Sequence, residues 1–229
     1  MPKSDLTIPQ HIGFILDGNR RWAKAKNLTS LEGHRKGYET IKTIAEAAFE
    51  RGIKYVSAYT FSTENWNRSK PEVRYLMSLI LKYASSDVKQ LHKKGIRFRW
   101  LGIETNLSSK LIKALRAAEE LTKNNTRGTL NFCFNYGGQQ EIADACNNLI
   151  ANGSKITPES INKALYAADV PPLDFIVRTS GEHRLSNFML WRAAYSELYF
   201  TKIMWPDFNA KALDVALADY ALRQRRFGV

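Results

Sequence analysis

The sequence is poor in cysteine, in long apolar runs and in acidic side chains, and each shortage narrows the class of protein. Its two cysteines, Cys133 and Cys146, stand in apolar stretches without CxxC spacing, so we expect no disulfide framework and a reducing, cytoplasmic compartment. No apolar run approaches the roughly 20 residues that span a bilayer, and the start, MPKSDLTIPQ, has no apolar signal core. Any membrane contact should therefore be peripheral, at the inner face.

The deficit of acidic residues leaves a strongly basic chain. Its 34 Lys and Arg against 22 Asp and Glu give a formal net charge of +12, which suits nucleic acid, an anionic membrane surface or a phosphorylated small molecule. Composition alone leaves these three open. The 229 residues are 44% hydrophobic and contain no repeat or linker, so residues 1–229 are predicted to form one domain.

Short apolar runs alternate with helical patterns along the chain. Apolar side chains recur at i, i+3, i+4 spacing between the runs, and the longest such pattern covers residues 72–92. This alternation predicts the α/β class, with a mainly parallel sheet covered by helices. The predicted strands are residues 11–16, 54–61, 97–102, 129–134, 173–178 and 197–203.

Polar motifs follow four of the predicted strands. DGNRRW follows the first strand, STENWNR the second, NYGG the fourth and RTSGEHRLSN the fifth. Ligands of open parallel sheets bind beyond the carboxyl ends of the strands, so these motifs predict one shared cleft.

The first motif is typical of either a turn or an anion site. Asp17 suits a type I turn or a helix N-cap, but it also suits Mg²⁺, which prefers one or two carboxylates with phosphate oxygens and water. Gly18 would let the backbone approach an anion, and Arg21 could add a bidentate phosphate contact. Trp22 could pack or touch the ligand.

The fifth motif predicts a second anion site, since Arg178 stands at a strand end with Arg184 and Ser186 near it. Glu182 and His183 could be ion-pair partners or metal ligands, and Glu197 could form a salt bridge or bind a second Mg²⁺.

The remaining features favour two phosphorylated, partly apolar substrates. Ser62 has no His/Asp partner nearby in sequence, so a serine hydrolase is unsupported, and GxxxxGK[ST] and DDxxD are both absent from the sequence. The helical pattern over 72–92 carries the extra apolar residues Leu79 and Leu81. That helix could be deeply buried or could form the wall of a hydrophobic tunnel.

The chain resembles the cis-prenyltransferases, the undecaprenyl diphosphate synthase family, over nearly its whole length. HIGFILDGNRRWA, EGHRKG, FSTENWNR, NYGG, RTSGEHRLSNFMLW, ELYF, WPDF and RRFG occur in the family's order. The resemblance implies a six-stranded, mainly parallel sheet flanked by helices, a hydrophobic tunnel and a homodimer. It also implies cis addition of isopentenyl diphosphate to an allylic diphosphate, with farnesyl or geranyl diphosphate as the starter.

The resemblance also implies roles for individual residues. Asp17 looks like the essential aspartate linked to Mg²⁺, with His183 and Glu197 as the other metal ligands, and Asn65 resembles the proposed proton acceptor. Arg226 and Gly228 match a motif that reaches the partner subunit's site. The implied substrate-binding residues are Gly18, Asn19, Arg20, Arg21, Trp22, Ser30, His34, Ser62, Thr63, Glu64, Trp66, Arg68, Arg178, Arg184, Leu185 and Ser186.

Several positions depart from the family's usual pattern. Ser30 and Gln139 stand where relatives often have arginine, and Arg192 replaces a common glutamine. Tyr38 and Phe134 are bulky where some relatives carry alanine and could shorten a tunnel if they point inward.

The expected product is a long-chain carrier lipid precursor for glycans, and the alternative is a short-chain or head-to-middle product. A nucleic-acid-binding protein and a non-catalytic partner subunit are more distant alternatives, and we expect no nucleic acid partner.

Overall fold

The computed structural model describes residues 7–223, so Arg226 and Gly228 lie outside the described residues. Within that range six strands form one sheet in the order β3-β4-β2-β1-β5-β6, and every neighbouring pair is parallel. The prediction of a parallel sheet is confirmed. The strands are β1 His11–Ile15, β2 Tyr55–Ser62, β3 Ile96–Leu101, β4 Gly128–Tyr136, β5 Phe175–Arg178 and β6 Glu197–Phe200.

Helices lie in the first four connections between successive strands, because parallel neighbours need crossover connections. The connection from β5 to β6, residues 179–196, consists of turns without a helix. The α-helices are α1 Asn19–Ala25, α2 Ser30–Glu50, α3 Lys70–Lys82, α4 Val88–Lys93, α5 Ser109–Thr122, α6 Gly138–Ala151, α7 Pro158–Ala164 and α8 Ala210–Ala221. In residues 7–223 we find no helix with both the length and the apolar character needed to cross a membrane.

The central strands are buried on both faces, and every residue of β1 is buried. The larger core lies between the sheet and α2, α3, α5 and α8, whereas a smaller one on the other face includes Phe188 and Met189. Burial on both faces explains why β1 reads as a continuous apolar run rather than an alternating one.

The helix predicted over 72–92 is interrupted by a π-helical turn, Tyr83–Asp87, between α3 and α4. Its first residue, Tyr83, is fully buried and stacks on Phe132 at 5.1 Å. The wider turn changes the helical phase, so that Ile80, Tyr83 and Val88 all face the larger core.

A buried histidine closes the other end of β1. His11 Nδ1 lies 2.8 Å from the Pro171 carbonyl oxygen, and Nε2 lies 2.7 Å from Ser57 Oγ. The carbonyl can only accept, so Nδ1 carries the proton and Nε2 accepts from the hydroxyl. Asn131 Nδ2 in turn donates to Ser57 Oγ at 3.0 Å. These bonds require a neutral imidazole.

This histidine is expected to make the fold sensitive to acid. Burial, with a smaller contribution from the positive charge of Arg192, lowers the pKa of His11 to about 4. Between about pH 6.5 and 4 the unfolded chain therefore binds more protons at this position, and stability falls with falling pH. The loss should reach about 3 kcal/mol, at about 1.4 kcal/mol per pKa unit.

Urea unfolding at several pH values measures this dependence. His11→Gln, which cannot titrate, should show a flatter profile over the same interval. A wild-type profile as flat as that of the variant would contradict the assignment.

Candidate active site

A cleft of about 1330 Å³ opens at the carboxyl edge of the sheet, beyond the ends of β1, β2 and β5. Three of the four polar motifs and the start of α2 contribute to its lining. The predicted site residues that line it are Asp17, Gly18, Asn19, Arg20, Arg21, Ser30, His34, Ser62, Glu64, Asn65, Arg68, Arg178, Arg184 and Ser186.

Asp17 lies at the centre of the charged part of this cleft. Its Oδ2 accepts from Arg178 Nη2 at 3.0 Å, its Oδ1 is 3.3 Å from Arg21 Nη2, and Oδ1 also accepts from the Gly18 N–H at 2.8 Å. Gly18 has φ 107, and a Cβ there would lie 2.9 Å from Ser180 Oγ. The turn therefore needs glycine to place Asp17 between the two arginines.

Arg178 is the most buried cation of the cleft, with its side chain 4% exposed. Besides Asp17 it donates to Ser186 Oγ at 2.7 Å and to the Arg184 carbonyl oxygen. Its Nε is buried and has no hydrogen-bond partner within residues 7–223. A buried donor without a partner is costly, and an anionic ligand in the cleft could supply the acceptor.

Glu182 connects two arginines from different motifs. Its carboxylate accepts from Arg21 Nη1 at 3.0 Å and from Arg184 Nη1 at 2.5 Å. Hydrogen bonding and the positive charge of Arg184, with that of Arg21, lower the pKa of Glu182. This carboxylate therefore holds two exposed guanidinium groups at the cleft, where a phosphorylated ligand could displace it.

The α1 and α2 helices approach closely because α2 carries two glycines. A Cβ on Gly33 would lie 2.2 Å from the Asn19 carbonyl oxygen, and one on Gly37 would lie 2.1 Å from Asn19 Oδ1. Thr29 caps α2 and forms a capping box with Glu32. The motif around EGHRKG thus sets the distance between the two helices that line the cleft.

The buried His34, which lines the cleft, is held by a carboxylate that does not line it. His34 Nε2 lies 2.9 Å from Glu72 Oε1, which also accepts from Arg68 Nη1 at 3.1 Å. Burial lowers the pKa of His34, so the ring is neutral at pH 7 and donates to Glu72. Burial opposes ionisation of Glu72, but His34 and Arg68 hold its pKa below the usual value.

The segment after β2 is a 3₁₀ turn, Thr63–Asn67. Asn65 Oδ1 accepts from the Ser62 N–H at 3.2 Å, so its amide is tied to the turn's own backbone. Trp66 is directed away from the cleft, donating from Nε1 to Asn135 Oδ1 at 2.7 Å and packing edge-on against Phe61.

Six predicted site residues do not line the cleft. Trp22 is buried and donates to Asp207 Oδ1 at 2.7 Å, so it packs α1 against the segment before α8. Leu185 packs on the smaller core, and His183 stacks on Phe200 at 4.7 Å. The six are Trp22, Thr63, Trp66, His183, Leu185 and Glu197.

The three predicted metal ligands are not brought together within one chain. Glu197 pairs with Phe175 at the start of β6 and forms an ion pair with Arg223 at 2.9 Å, whereas Asp17 lies past the opposite end of β1. Within residues 7–223 there is no group of three potential metal-binding side chains. Of the three predicted ligands, Asp17 lies in the cleft and would hold Mg²⁺ there if phosphate oxygens and water supplied the other ligands.

The apolar part of the cleft lies between α2 and α3. The lining residues of α3, Leu76 to Ile80, span about 6 Å along that helix at 1.5 Å per residue. Tyr38 on α2 also lines the cleft and meets Tyr83 edge-on at 5.0 Å. The apolar residues that line this part are Tyr38, Ile41, Leu76, Leu79 and Ile80.

Phe134 is fully buried and lies behind the lining, where it packs against Phe61 at 5.5 Å. The hydroxyl groups of Tyr38 and Tyr83 are buried without a partner in the described part of the chain.

Sequence reasoning missed several residues of the lining. Lys24, Asn27, Thr60 and Asn187 all contribute. Lys24 follows Arg20 by four residues, so helical spacing alone could have indicated it. Asn187 ends the fifth motif, but only its contacts with other segments distinguish it from a turn residue.

The sequence matches the family model described as putative undecaprenyl diphosphate synthase over residues 15–228. It is 49% identical over 222 residues to an isoprenyl transferase of Fusobacterium nucleatum, covering 96% of each chain. It is 45% identical over 228 residues to an isoprenyl transferase of Thermotoga maritima, covering 97% of this chain and 98% of that one.

Two solved structures are similar over nearly the whole chain. The structure of lavandulyl diphosphate synthase from Lavandula x intermedia in complex with dimethylallyl diphosphate has a TM-score of 0.93 at 35% identity, covering 97% of this chain and 99% of that one. A probable undecaprenyl diphosphate synthase from Campylobacter jejuni has a TM-score of 0.84 at 26% identity, covering 97% and 100%.

Proposed function

The chain belongs to the undecaprenyl diphosphate synthase family of prenyl-transferring enzymes, and from this premise we propose that it condenses isopentenyl diphosphate with an allylic diphosphate. The observation that carries the proposal is the position of Asp17, which contacts both Arg178 at the end of β5 and Arg21 on α1. One carboxylate therefore contacts an arginine from each of two basic groups of residues. Two such groups suit two diphosphates that must react with each other.

Each of these basic groups suits one substrate. Arg178, Arg184 and Ser186 would bind isopentenyl diphosphate, and the unpartnered Nε of Arg178 supports an anion there. Asn19, Arg20 and Arg21 would bind the allylic diphosphate beside α2. Guanidinium groups match diphosphate oxygens in geometry as well as charge.

The reaction forms a bond between the terminal alkene carbon of isopentenyl diphosphate and C1 of the allylic substrate. The C1–O bond breaks, diphosphate leaves with the electron pair, and a proton leaves C2 of the isopentenyl unit. The arginines stabilise the charge that develops on the departing diphosphate. Mg²⁺, held by Asp17 and diphosphate oxygens, would add further stabilisation of that charge.

Asn65 is proposed to orient the isopentenyl unit rather than to act as a free base. An amide is a poor base, and its Oδ1 already accepts from Ser62. The released proton would be transferred to a diphosphate oxygen. Asn65 would hold the isopentenyl unit in place for this transfer and provide a polar path for the proton.

The geometry of the apolar pocket supports a short product over a long-chain carrier lipid. The apolar lining that α3 supplies spans about 6 Å along that helix, and the bulky ring of Tyr38, which packs edge-on against Tyr83, lines the same cleft. The similar lavandulyl diphosphate synthase bound dimethylallyl diphosphate, a short allylic substrate. We propose a short allylic starter and a product of few isoprene units.

Tyr38→Ala is expected to lengthen the product by at least one isoprene unit, because it removes a bulky ring from the apolar lining of the cleft. Product sizing by mass spectrometry, from the same starter, measures the change. Tyr75→Ala is the matched control, since Tyr75 lies on α3 outside the lining. An unchanged product distribution in Tyr38→Ala would contradict the role of this ring.

Ser30→Arg is expected to lower the KM for the allylic diphosphate. Ser30 begins α2 and lines the cleft, where a guanidinium would add an ionic contact of about 1 kcal/mol or more, equivalent to roughly fivefold in KM. Steady-state kinetics at saturating isopentenyl diphosphate would measure it, with Ser30→Gln as the uncharged control. A KM equal to that of the wild type would argue against an allylic diphosphate at this position.

The proposed reaction is tested with radiolabelled isopentenyl diphosphate, Mg²⁺, and dimethylallyl, geranyl or farnesyl diphosphate offered separately. A single short product is expected. A ladder that continues to C50–C55 would support the carrier lipid instead, and no product from any starter would favour the non-catalytic subunit. Salt-dependent binding to bulk DNA, unaffected by Mg²⁺ and diphosphate, would favour the nucleic-acid alternative.

The assembly and location of the protein are proposals that rest on the family. We propose that the protein is a homodimer in the cytoplasm. It would contact the membrane only peripherally, when it releases an apolar product. Light scattering of the purified chain measures the dimer, and flotation with anionic vesicles measures the membrane contact.

A further inference from the structure

Asn187 makes hydrogen bonds to two segments that are distant in sequence. Its Nδ2 donates to Glu64 Oε1 at 3.0 Å, and its Oδ1 accepts from the Gln139 N–H at 2.8 Å. Its carbonyl oxygen accepts from the Gly138 N–H at 2.7 Å. One residue thus joins the turn after β2, the turn after β4 and the segment after β5.

The backbone around Asn187 is shaped for these contacts. Asn187 has φ 65, in the left-handed region that asparagine tolerates better than most residues. A Cβ on Gly137 would lie 2.9 Å from Asn187 Nδ2, and one on Gly138 would lie 3.0 Å from the Asn187 carbonyl oxygen. The two glycines of NYGG therefore allow the close approach.

The partners of Asn187 are neighbours of the proposed reactive groups. Glu64 precedes Asn65 in the turn after β2, and Asn187 follows Ser186, whose Oγ contacts Arg178 at 2.7 Å. Burial alone would favour the neutral form of Glu64, but hydrogen bonds from its own backbone, Asn187 and nearby hydroxyls lower its pKa. An ionised Glu64 accepts the hydrogen bond of the Asn187 amide more strongly than a neutral carboxyl group would.

We propose that Asn187 is a positioning residue, which holds Glu64 and thereby places the Asn65 turn over the isopentenyl diphosphate subsite. The inference rests on the proposed function. The bond between Asn187 and Glu64 is open to solvent, so water compensates for its loss in the folding balance. Its loss should change the geometry of the turn, where a displacement of about 1 Å can cost up to about 10²-fold in rate.

The test reverses the donor and the acceptor of this pair. Asn187→Asp keeps an acceptor for the Gln139 N–H and tolerates φ 65, but it places two carboxylates together. Glu64→Gln keeps an amide oxygen as the acceptor for the Asn187 amide and removes only the charge. Asn187→Asp is expected to lower kcat by about tenfold and Glu64→Gln by less than about threefold, with unfolding midpoints close to that of the wild type.

The double variant Glu64→Gln with Asn187→Asp restores one donor and one acceptor and keeps the net charge. It should recover kcat to within about threefold of the wild type, which corresponds to a strong coupling in the double-mutant cycle. Asn106→Asp is the matched control, because Asn106 also has positive φ, is exposed and lies outside the cleft lining. It should leave kcat unchanged.

Additive losses in the double variant, with all proteins folded, would overturn the positioning role. Equal activity of Asn187→Asp and the wild type would overturn it as well. Failure of the proposed function is distinguishable, because the wild type itself would then form no prenyl product from labelled isopentenyl diphosphate.

Discussion

Asp17→Asn is expected to lower kcat for prenyl transfer by about 10³-fold while the protein stays folded. Removal of one group that stabilises transition-state charge usually costs 10²–10³-fold, and Asp17 orients two arginines as well as being the proposed Mg²⁺ ligand. The amide keeps the size of the side chain but loses the negative charge that holds Arg178 and Arg21.

Single-turnover assays with labelled isopentenyl diphosphate measure the chemical step directly. Asp169→Asn is the matched control, because Asp169 also lies beside two arginines, with Arg99 at 2.8 Å and Arg97 at 3.6 Å, but is remote from the cleft. The control should retain full activity. Retention of more than about a tenth of wild-type kcat by Asp17→Asn would contradict the central role of this carboxylate.

Arg192→Met is expected to lower the free energy of unfolding by about 3–5 kcal/mol, the usual effect of removing one partner of a buried ion pair. Arg192 donates to Glu141 Oε1 at 2.7 Å, and the two side chains are 3% and 1% exposed. Arg192 also donates to the Tyr166 and Ala167 carbonyl oxygens. Its loss would leave Glu141 as a buried charge without a cation.

Urea unfolding measures this change, and the thermal midpoint should fall by about 10 °C at the usual 2–4 °C per kcal/mol. Lys123→Met removes a cation from an exposed pair with Glu120 and should cost less than about 1 kcal/mol. The double variant Glu141→Leu with Arg192→Met should recover part of the loss, because no buried charge remains. A loss below 1 kcal/mol in Arg192→Met would show that Glu141 needs no cation.

The sequence predicted the sheet well because strand formation here depends on local pattern. The six apolar runs became the six strands with ends shifted by a few residues. The crossovers between them are long enough for helices, so the parallel order followed from the alternation. The shared cleft followed as well, because the carboxyl ends of parallel strands meet at one edge.

Directions of side chains within the motifs could not be predicted from the sequence. Trp22 and Trp66 stand beside cleft residues, yet their N–H groups donate to Asp207 and Asn135. A buried indole N–H needs an acceptor, and the nearest acceptor came from a distant segment. Local sequence contains no information about which segment will supply it.

The relative positions of the predicted metal ligands also could not be predicted from the sequence. Asp17 follows the carboxyl end of β1, whereas Glu197 begins β6 at the opposite end of the sheet. Family resemblance grouped them by motif, but strand direction separates them within one chain.

The sequence by itself determined the class of fold, the edge at which the cleft lies and the types of charge within it, because these depend on hydrophobic period and on motifs at strand ends. Only the tertiary structure decided which cations share Asp17, how Asn187 joins three turns and which rings pack beside the apolar part of the cleft. Those contacts join residues far apart in the chain, and packing alone selects among the partners that local chemistry would accept.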